Sequence, residues 1–307
     1  MKLKRFIIML FLLAIIPLIG ITPGPSAAQD RTVKTIEDLY PGLASDVLKT
    51  AIPAKLTKGI LLTSGGLTIK ESDVTEVINA SQASVRKQMS QNAFFLLENM
   101  ATKGLILQEA KKSGKVKGED NQSISDFLSK TIEVPAVSEE EIKSFYGQNK
   151  ETIGNAPLEQ VRVMVKEYLT QQKRQEAIHQ FIRTLGQRNR IQINEDWLKN
   201  QAPLALNNPV DRARRSGQPT LVEFGATGCV PCDMMTPILA DLRKKFPGKL
   251  NVLFVHVGQE QILGARFGIQ GIPVQVLFDK NGQEVFRHTG FFPQNELEKK
   301  MKELGVT

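Results

Sequence analysis

The chain has 307 residues yet only two cysteines, three histidines, three tyrosines and one tryptophan. A tetrahedral zinc site needs about four ligands. With two cysteines and with His179, His256 and His288 scattered along the sequence, no such set is in view, so no metal is expected. Covalent c-type haem attachment requires a histidine directly after the second cysteine, and Asp233 stands there. Basic clusters such as Lys111-Lys112 and Arg212 to Arg215 lack interleaved aromatics and any nucleic-acid motif. They read as solvated helix faces, and nucleic acid is not an expected partner. No internal repeat is present.

What is there is concentrated. Both cysteines fall in Cys229-Val230-Pro231-Cys232, between the apolar run Leu221-Val222-Glu223-Phe224 and a helix-like stretch from Met234 to Phe246. A strand feeding a helix through Cys-x-x-Cys sets the first sulfur at the helix N-terminus, where unpaired N–H groups and the macrodipole favour a thiolate. The second sulfur follows one turn later. As a structural staple so short a loop would contribute little, roughly 2 kcal/mol on the chain-entropy account. The chemistry implied is thiol–disulfide exchange, which draws its electrons from the dithiol itself and calls for no cofactor.

Further along, Pro237 falls five residues after Cys232, Gly271-Ile272-Pro273 precedes the strand-like Val274 to Phe278, Asn281-Gly282 supplies a hairpin turn and Gly290 closes the next strand. From about Asn208 to the C-terminus this ordered set resembles the thioredoxin family. The resemblance implies a central mixed sheet flanked by helices, with Cys229 as nucleophile and Cys232 as resolving thiol. It further implies that Pro273 is a cis-proline facing the disulfide, that the backbone at Ile272 pairs with bound substrate, and that Glu223 is the buried acid that takes the proton of Cys232. The departures are also specific. Gly228 replaces the tryptophan usual before the first cysteine, Val230 the glycine after it, Asp233 the basic residue after the second, and Phe254 the lysine that often partners the buried acid. A carboxylate beside Cys232 opposes thiolate formation, so the direction of electron flow is left open.

The N-terminus reads Met1-Lys2-Leu3-Lys4-Arg5, then an apolar run from Phe6 to Ile21, then Ser26-Ala27-Ala28. This is the pattern of a secretory signal cleaved after Ala28. The rival is an uncleaved anchor, although the run is shorter than the ~20 residues of a spanning helix and is broken by Pro17. Of the formal charge of +8, Lys2, Lys4 and Arg5 supply three, leaving a mildly basic +5 on the remainder. Export would place the dithiol in an oxidising, periplasmic or otherwise extracytoplasmic compartment, where a membrane or periplasmic redox partner is needed to sustain turnover.

Residues 29–65 show no sustained period and receive no assignment. From Ser72 the pattern is helical, with Gly114 as a stop, a capping box at Ser138-Glu139-Glu140-Glu141, and a long amphipathic segment from Leu158 to Leu185 ending at Gly186. Leu105 to Ala110, Val137 to Ile142 with Tyr146, and Val161 to Ile193 resemble the non-catalytic part of SurA/PpiC-type periplasmic chaperones. In those proteins a parvulin isomerase module lies between the short helix and the long one. Only Gly147 to Pro157 intervene here, too few for such a module, so prolyl isomerisation is not expected. The resulting expectation is a multidomain α plus α/β chain. It comprises a signal peptide at 1–28, an all-α SurA-like domain at 66–200 that binds unfolded polypeptide, and a thioredoxin-like α/β domain at 201–307, with unfolded or disulfide-containing exported proteins as partners. The rival readings are a non-catalytic holdase and a reductase dedicated to cytochrome c maturation.

Overall fold

The computed structural model describes residues 33–306 apart from 115–117, 119, 151 and 152. The signal peptide expected at 1–28 lies outside the described residues. In the N-terminal region the elements are α1 (Ile36–Leu39), β1 (Ile52–Ala54), β2 (Ile60–Ser64), β3 (Leu67–Lys70), α2 (Glu71–Ala80), α3 (Ala83–Gln91), α4 (Ala93–Ser113), α5 (Asn121–Thr131), α6 (Glu139–Asn149), α7 (Leu158–Arg188), β4 (Gln192–Asn194) and α8 (Glu195–Leu206). There follow α9 (Pro209–Arg214), β5 (Thr220–Gly225), α10 (Val230–Lys245), β6 (Asn251–His256), α11 (Gln261–Arg266), β7 (Val274–Phe278), β8 (Glu284–Thr289) and α12 (Gln294–Glu303).

The N-terminal region is helical but not all-α, which corrects the expectation. Four short strands form a sheet in the order β1-β4-β2-β3, with β1 parallel to β4 and the other pairs antiparallel. Two of these strands are only three residues long, and β4 joins β1 and β2 from the far side of six helices. Periodicity cannot register so short a run, and its pairing partner is remote in sequence. The β2–β3 hairpin had a local signal: Gly65 and Gly66 turn with φ of 50° and 91°, both positive as a type I′ turn requires.

Residues 34–51, which have no period of their own, are held by tertiary polar contacts. The buried Glu98 of α4 accepts hydrogen bonds from the backbone N–H groups of Ser45, Asp46 and Leu48 at 2.9, 3.0 and 3.3 Å. Burial pushes its carboxyl above the ordinary range while those three donors pull it back. Asp46 in turn meets Nδ1 of His179 at 2.6 Å and Arg183 at 3.4 Å, both on α7. The long helix does not stop at Gly186 but runs on to Arg188. Gly186 is needed for close approach: a Cβ there would collide with the backbone carbonyl of Val47. A single core from Ile36 to Leu206 unites these pieces, with Phe94, Leu97, Ala101 and Leu105 of α4 along its axis and Trp197 packed at its edge. The capping box at Ser138 forms as expected, Glu141 N donating to Ser138 Oγ at 3.2 Å and Ser138 N to Glu141 Oε2 at 2.8 Å.

The C-terminal region is a four-stranded sheet in the order β6-β5-β7-β8, with β5 parallel to β6 and antiparallel to β7. All six residues of β5 are buried, as befits a central strand covered on both faces. One face packs Leu221 and Leu277 under α10 and α12, and the other packs Val222, Phe224 and Val276 against Val210, Leu263 and Phe267. The arginine run at 212–215 is not simply a solvated face. Arg214 stacks over the Phe278 ring at 4.9 Å and gives its Nε proton to the Gly282 carbonyl at 3.0 Å.

The described residues from Lys34 onward form one compact unit. Arg266 of α11, nearly buried, bonds Asp211 at 2.6 Å, the Ala205 carbonyl at 3.0 Å and the Gly42 carbonyl at 2.9 Å. Beside it Gln88 of α3 donates to the Gln259 carbonyl at 2.6 Å and accepts from Ile262 N at 3.2 Å. Gly186→Ala tests how tightly α7 is clamped. Although alanine is the better helix former by about 1 kcal/mol, crowding of Val47 should make the variant less stable by roughly 1–3 kcal/mol in urea unfolding.

Candidate active site

Strand β5 ends at Gly225, and a turn through Thr227 and Gly228 delivers Cys229 as the N-cap of α10. Gly228 has φ 78°, a backbone setting that a side chain would strain. Cys229 and Cys232 are joined by a disulfide with their Cα atoms 5.2 Å apart. Their surroundings differ. Cys229 is half-buried, whereas Cys232 is 2% exposed. An attacking sulfur can therefore be approached only at Cys229, and the 16-residue α10 lends that sulfur its N-terminal N–H groups and dipole. Val230, 70% exposed, and the half-exposed Met234 form an apolar rim beside it. Pro237 lies inside α10.

Behind the disulfide the sheet presents one row of side chains across all four strands. Register pairs Phe254 of β6 with Glu223 of β5, Glu223 with Gln275 of β7, and Gln275 with His288 of β8. Glu223 is completely buried, and neither of its carboxyl oxygens has a hydrogen-bond partner among the described residues, Cys232 included. Burial pushes its pKa up to about 8, with the attraction of Arg243 working in the opposite direction. A carboxyl in this setting holds its proton at neutral pH and can exchange it there.

The Ile272–Pro273 peptide bond is cis. The Pro273 carbonyl accepts from Gly290 N at 2.8 Å, which ties this loop to the end of β8. The β5–β7 register, carried one residue past Phe224 and Val274, sets Pro273 beside Gly225. Among the described residues, neither the N–H nor the carbonyl of Ile272 enters a backbone–backbone hydrogen bond, so both are open to an added strand. Two residues earlier, Gln270 meets Gln175 of α7 at 3.5 Å, which brings the middle of the long helix to the rim of the site.

From the sequence Phe254 stands out only as a missing lysine, and His256 has no role. In the structure a Cβ on Gly225 would lie 2.9 Å from the Phe254 ring and 3.4 Å from Cys232 Sγ. The ring thus fills the space beside the buried sulfur, and glycine at 225 makes room for it. His256, paired with Gly225, accepts from Thr227 N at 3.3 Å and lies 2.9 Å from Thr227 Oγ1, so it braces the turn leading to Cys229. The available signal was period two: Glu223 and Gly225, Phe254 and His256, Gln275 and Pro273 all share the face of the sheet under α10.

Because the folded pKa of about 8 exceeds the carboxyl's ordinary 4.5, the unfolded chain gives up this proton first as pH rises. The stability associated with the neutral acid is full below about pH 4.5 and is lost progressively through pH 8. Glu223→Gln should remove that dependence. In urea unfolding the variant and the parent should differ little at pH 5, and the variant should be the more stable at pH 8.5, by up to roughly 4 kcal/mol.

Residues 206–303 match the family model described as Thioredoxin. The thioredoxin of Haemophilus influenzae is 38% identical over 79 residues, which are 26% of this chain and 73% of that protein. Thioredoxin 1 of Chlorobaculum tepidum is 38% identical over 87 residues, 28% of this chain and 85% of its own length. Among solved structures, a mutant thioredoxin from Halobacterium salinarum NRC-1 covers 31% of this chain and 81% of its own, at 25% identity and a TM-score of 0.29. The span matched by the family model holds the Cys-x-x-Cys helix, the buried acid and the cis-proline loop on one sheet, and with relatives 38% identical over most of their own length the chain belongs through that region to the thioredoxin family.

Proposed function

We propose that the protein is an exported thiol–disulfide oxidoreductase whose N-terminal helices hold unfolded polypeptide beside Cys229. The observation that carries the redox half is the unequal burial of the two sulfurs, Cys229 open at the head of α10 and Cys232 enclosed against Gly225, on the sheet face that carries the buried acid. In the reducing direction the Cys229 thiolate attacks a sulfur of a client disulfide. A Cys229–client bond forms, the client S–S bond breaks, and one client thiolate leaves. Cys232 then passes its proton to Glu223 in its ionised form, a minor fraction at neutral pH, and its thiolate attacks Cys229, which closes the Cys229–Cys232 bond and releases the second client thiolate. Two electrons have moved to the client, and an external dithiol partner must return them. The open backbone of Ile272 beside the cis-Pro273 bond would bind the client as an added strand.

The export half rests on the Phe6 to Ile21 run and the Ser26-Ala27-Ala28 site. The client-holding half rests on the likeness of 66–200 to SurA/PpiC-type chaperones and on the hairpin of α6 and α7. That hairpin has its own small core of Ile142 and Val165, both 1% exposed, with Phe145 and Tyr168 rings 5.1 Å apart. Near its outer end Val163 and Met164 are 67% and 52% exposed. Met164 and Gln175 are 11 residues apart, about three helical turns, and so lie on one side of α7. That side touches the cis-proline loop through Gln270.

Cys232→Ser should accumulate mixed disulfides with exported proteins, visible as reducible adducts on non-reducing gels, because the resolving thiol is gone. Cys229→Ser should accumulate almost none, and equal trapping by both variants would reverse or remove the assigned roles. Val163→Ser with Met164→Ser should slow reduction of an unfolded protein disulfide several-fold and leave reduction of a small disulfide unchanged, since only the large client gains local concentration from the hairpin. Equal effects on both substrates would detach the helices from client binding.

A further inference from the structure

Glu223 and Gln275 stand directly opposite each other on β5 and β7. Both are 0% exposed, and all four of their side-chain oxygen and nitrogen atoms lack a hydrogen-bond partner among the described residues. As placed they do not bond each other either; because folded proteins leave few buried polar atoms unpaired, the two facing side chains can satisfy one another once the amide turns or one water bridges them. Directly opposed side chains in an antiparallel pair have Cβ atoms about 4.5–5.5 Å apart, within reach of an amide–carboxyl hydrogen bond or of one bridged by a single water. The remaining strand neighbours of Glu223 on this face offer no such partner. Phe254 flanks it on β6, Leu221 and Gly225 precede and follow it on β5, and Leu277 and Pro273 flank Gln275 on β7.

We propose that Gln275 is a positioning residue whose side-chain amide pairs with the Glu223 carboxyl and holds it, in both protonation states, for proton exchange with Cys232. The proposal rests on the reading of Glu223 as the proton acceptor. An amide suits both states: Nε2 donates to the carboxylate, and Oε1 accepts from the O–H of the neutral acid. A hydrocarbon side chain at 275 would supply neither. The carboxylate would lose more, because a hydrogen bond to a charged group is roughly twice as strong as a neutral one. The other titratable groups around the pair are Arg243 on α10, whose attraction favours the carboxylate, His288 beyond Gln275 on β8, held neutral-leaning by its burial, and His256 beyond Phe254 on β6.

Carbon-13 NMR of the glutamate carboxyls in the full-length oxidised chain, with the Glu223 signal assigned by its loss in Glu223→Gln, reads the pairing directly. In Gln275→Leu and in Gln275→Met, two apolar replacements of different shape, the Glu223 midpoint should rise by about one pH unit while surface Glu298 stays where it is. Resolution of a mixed disulfide should slow roughly tenfold at pH 7, matching a one-unit shift. An unchanged or lowered Glu223 midpoint in either folded variant would overturn the proposal. A raised midpoint with an unaltered resolution rate would keep the pairing and remove Glu223 from the reaction, so the two readings fail separately.

Discussion

Strand β5 is hydrogen-bonded along both edges and covered on both faces, and nearly every feature of the site is referred to it. Its last residue starts the turn to Cys229, its parallel partner supplies Phe254 and His256, and its antiparallel partner supplies Gln275 and the cis-proline loop. A strand so enclosed tolerates a carboxyl only at a free-energy penalty to the charged form. The penalty falls on Glu223, and it is what shifts a surface-like acid into the range where thiols also titrate. The same enclosure that stabilises the sheet therefore tunes its chemistry.

The N-terminal region solves a different problem. Its first residues carry little apolar periodicity, and their placement depends on a few specific contacts: Glu98 gathering the N–H groups of Ser45, Asp46 and Leu48, Asp46 reaching His179 and Arg183, and Gly186 admitting the Val47 backbone. Arg266 extends the same logic between regions by joining Gly42, Ala205 and Asp211. Removing one partner of the buried Arg266–Asp211 pair costs about 3–5 kcal/mol, and the partly exposed pairs of Asp46 contribute less.

The C-terminal architecture was legible because its strands are long enough to alternate and its turns carry diagnostic residues: Asn281-Gly282 between β7 and β8, Gly290 after β8, and the two cysteines at a strand-to-helix junction. The long helices of the N-terminal region were legible for the same reason, through Ser138 and Gly114 at their ends and the apolar stripe of α7. The small sheet was not, because β1 and β4 are three residues each and their pairing spans about 140 positions of sequence. Gly186 misled, since glycine ends helices far more often than it lets a neighbouring backbone press against one. Within the site, the cysteines and the acid announce themselves by type. Gln275 and His256 do not, and only the strand register shows that with Phe254 they surround that acid.

The rooting of α7 has a mechanical side. At 1.5 Å per residue its 31 residues make a rod of about 46 Å. Gly186 sits near its fixed end, Gln175 at the rim of the disulfide lies about 16 Å along, and Leu158 about 42 Å along. A tilt about the Val47 contact is therefore magnified between the rim and the outer end by a factor of roughly two and a half. A load on the outer hairpin would reach the loop before Pro273 with mechanical advantage, so the rod can act as a lever as well as a wall.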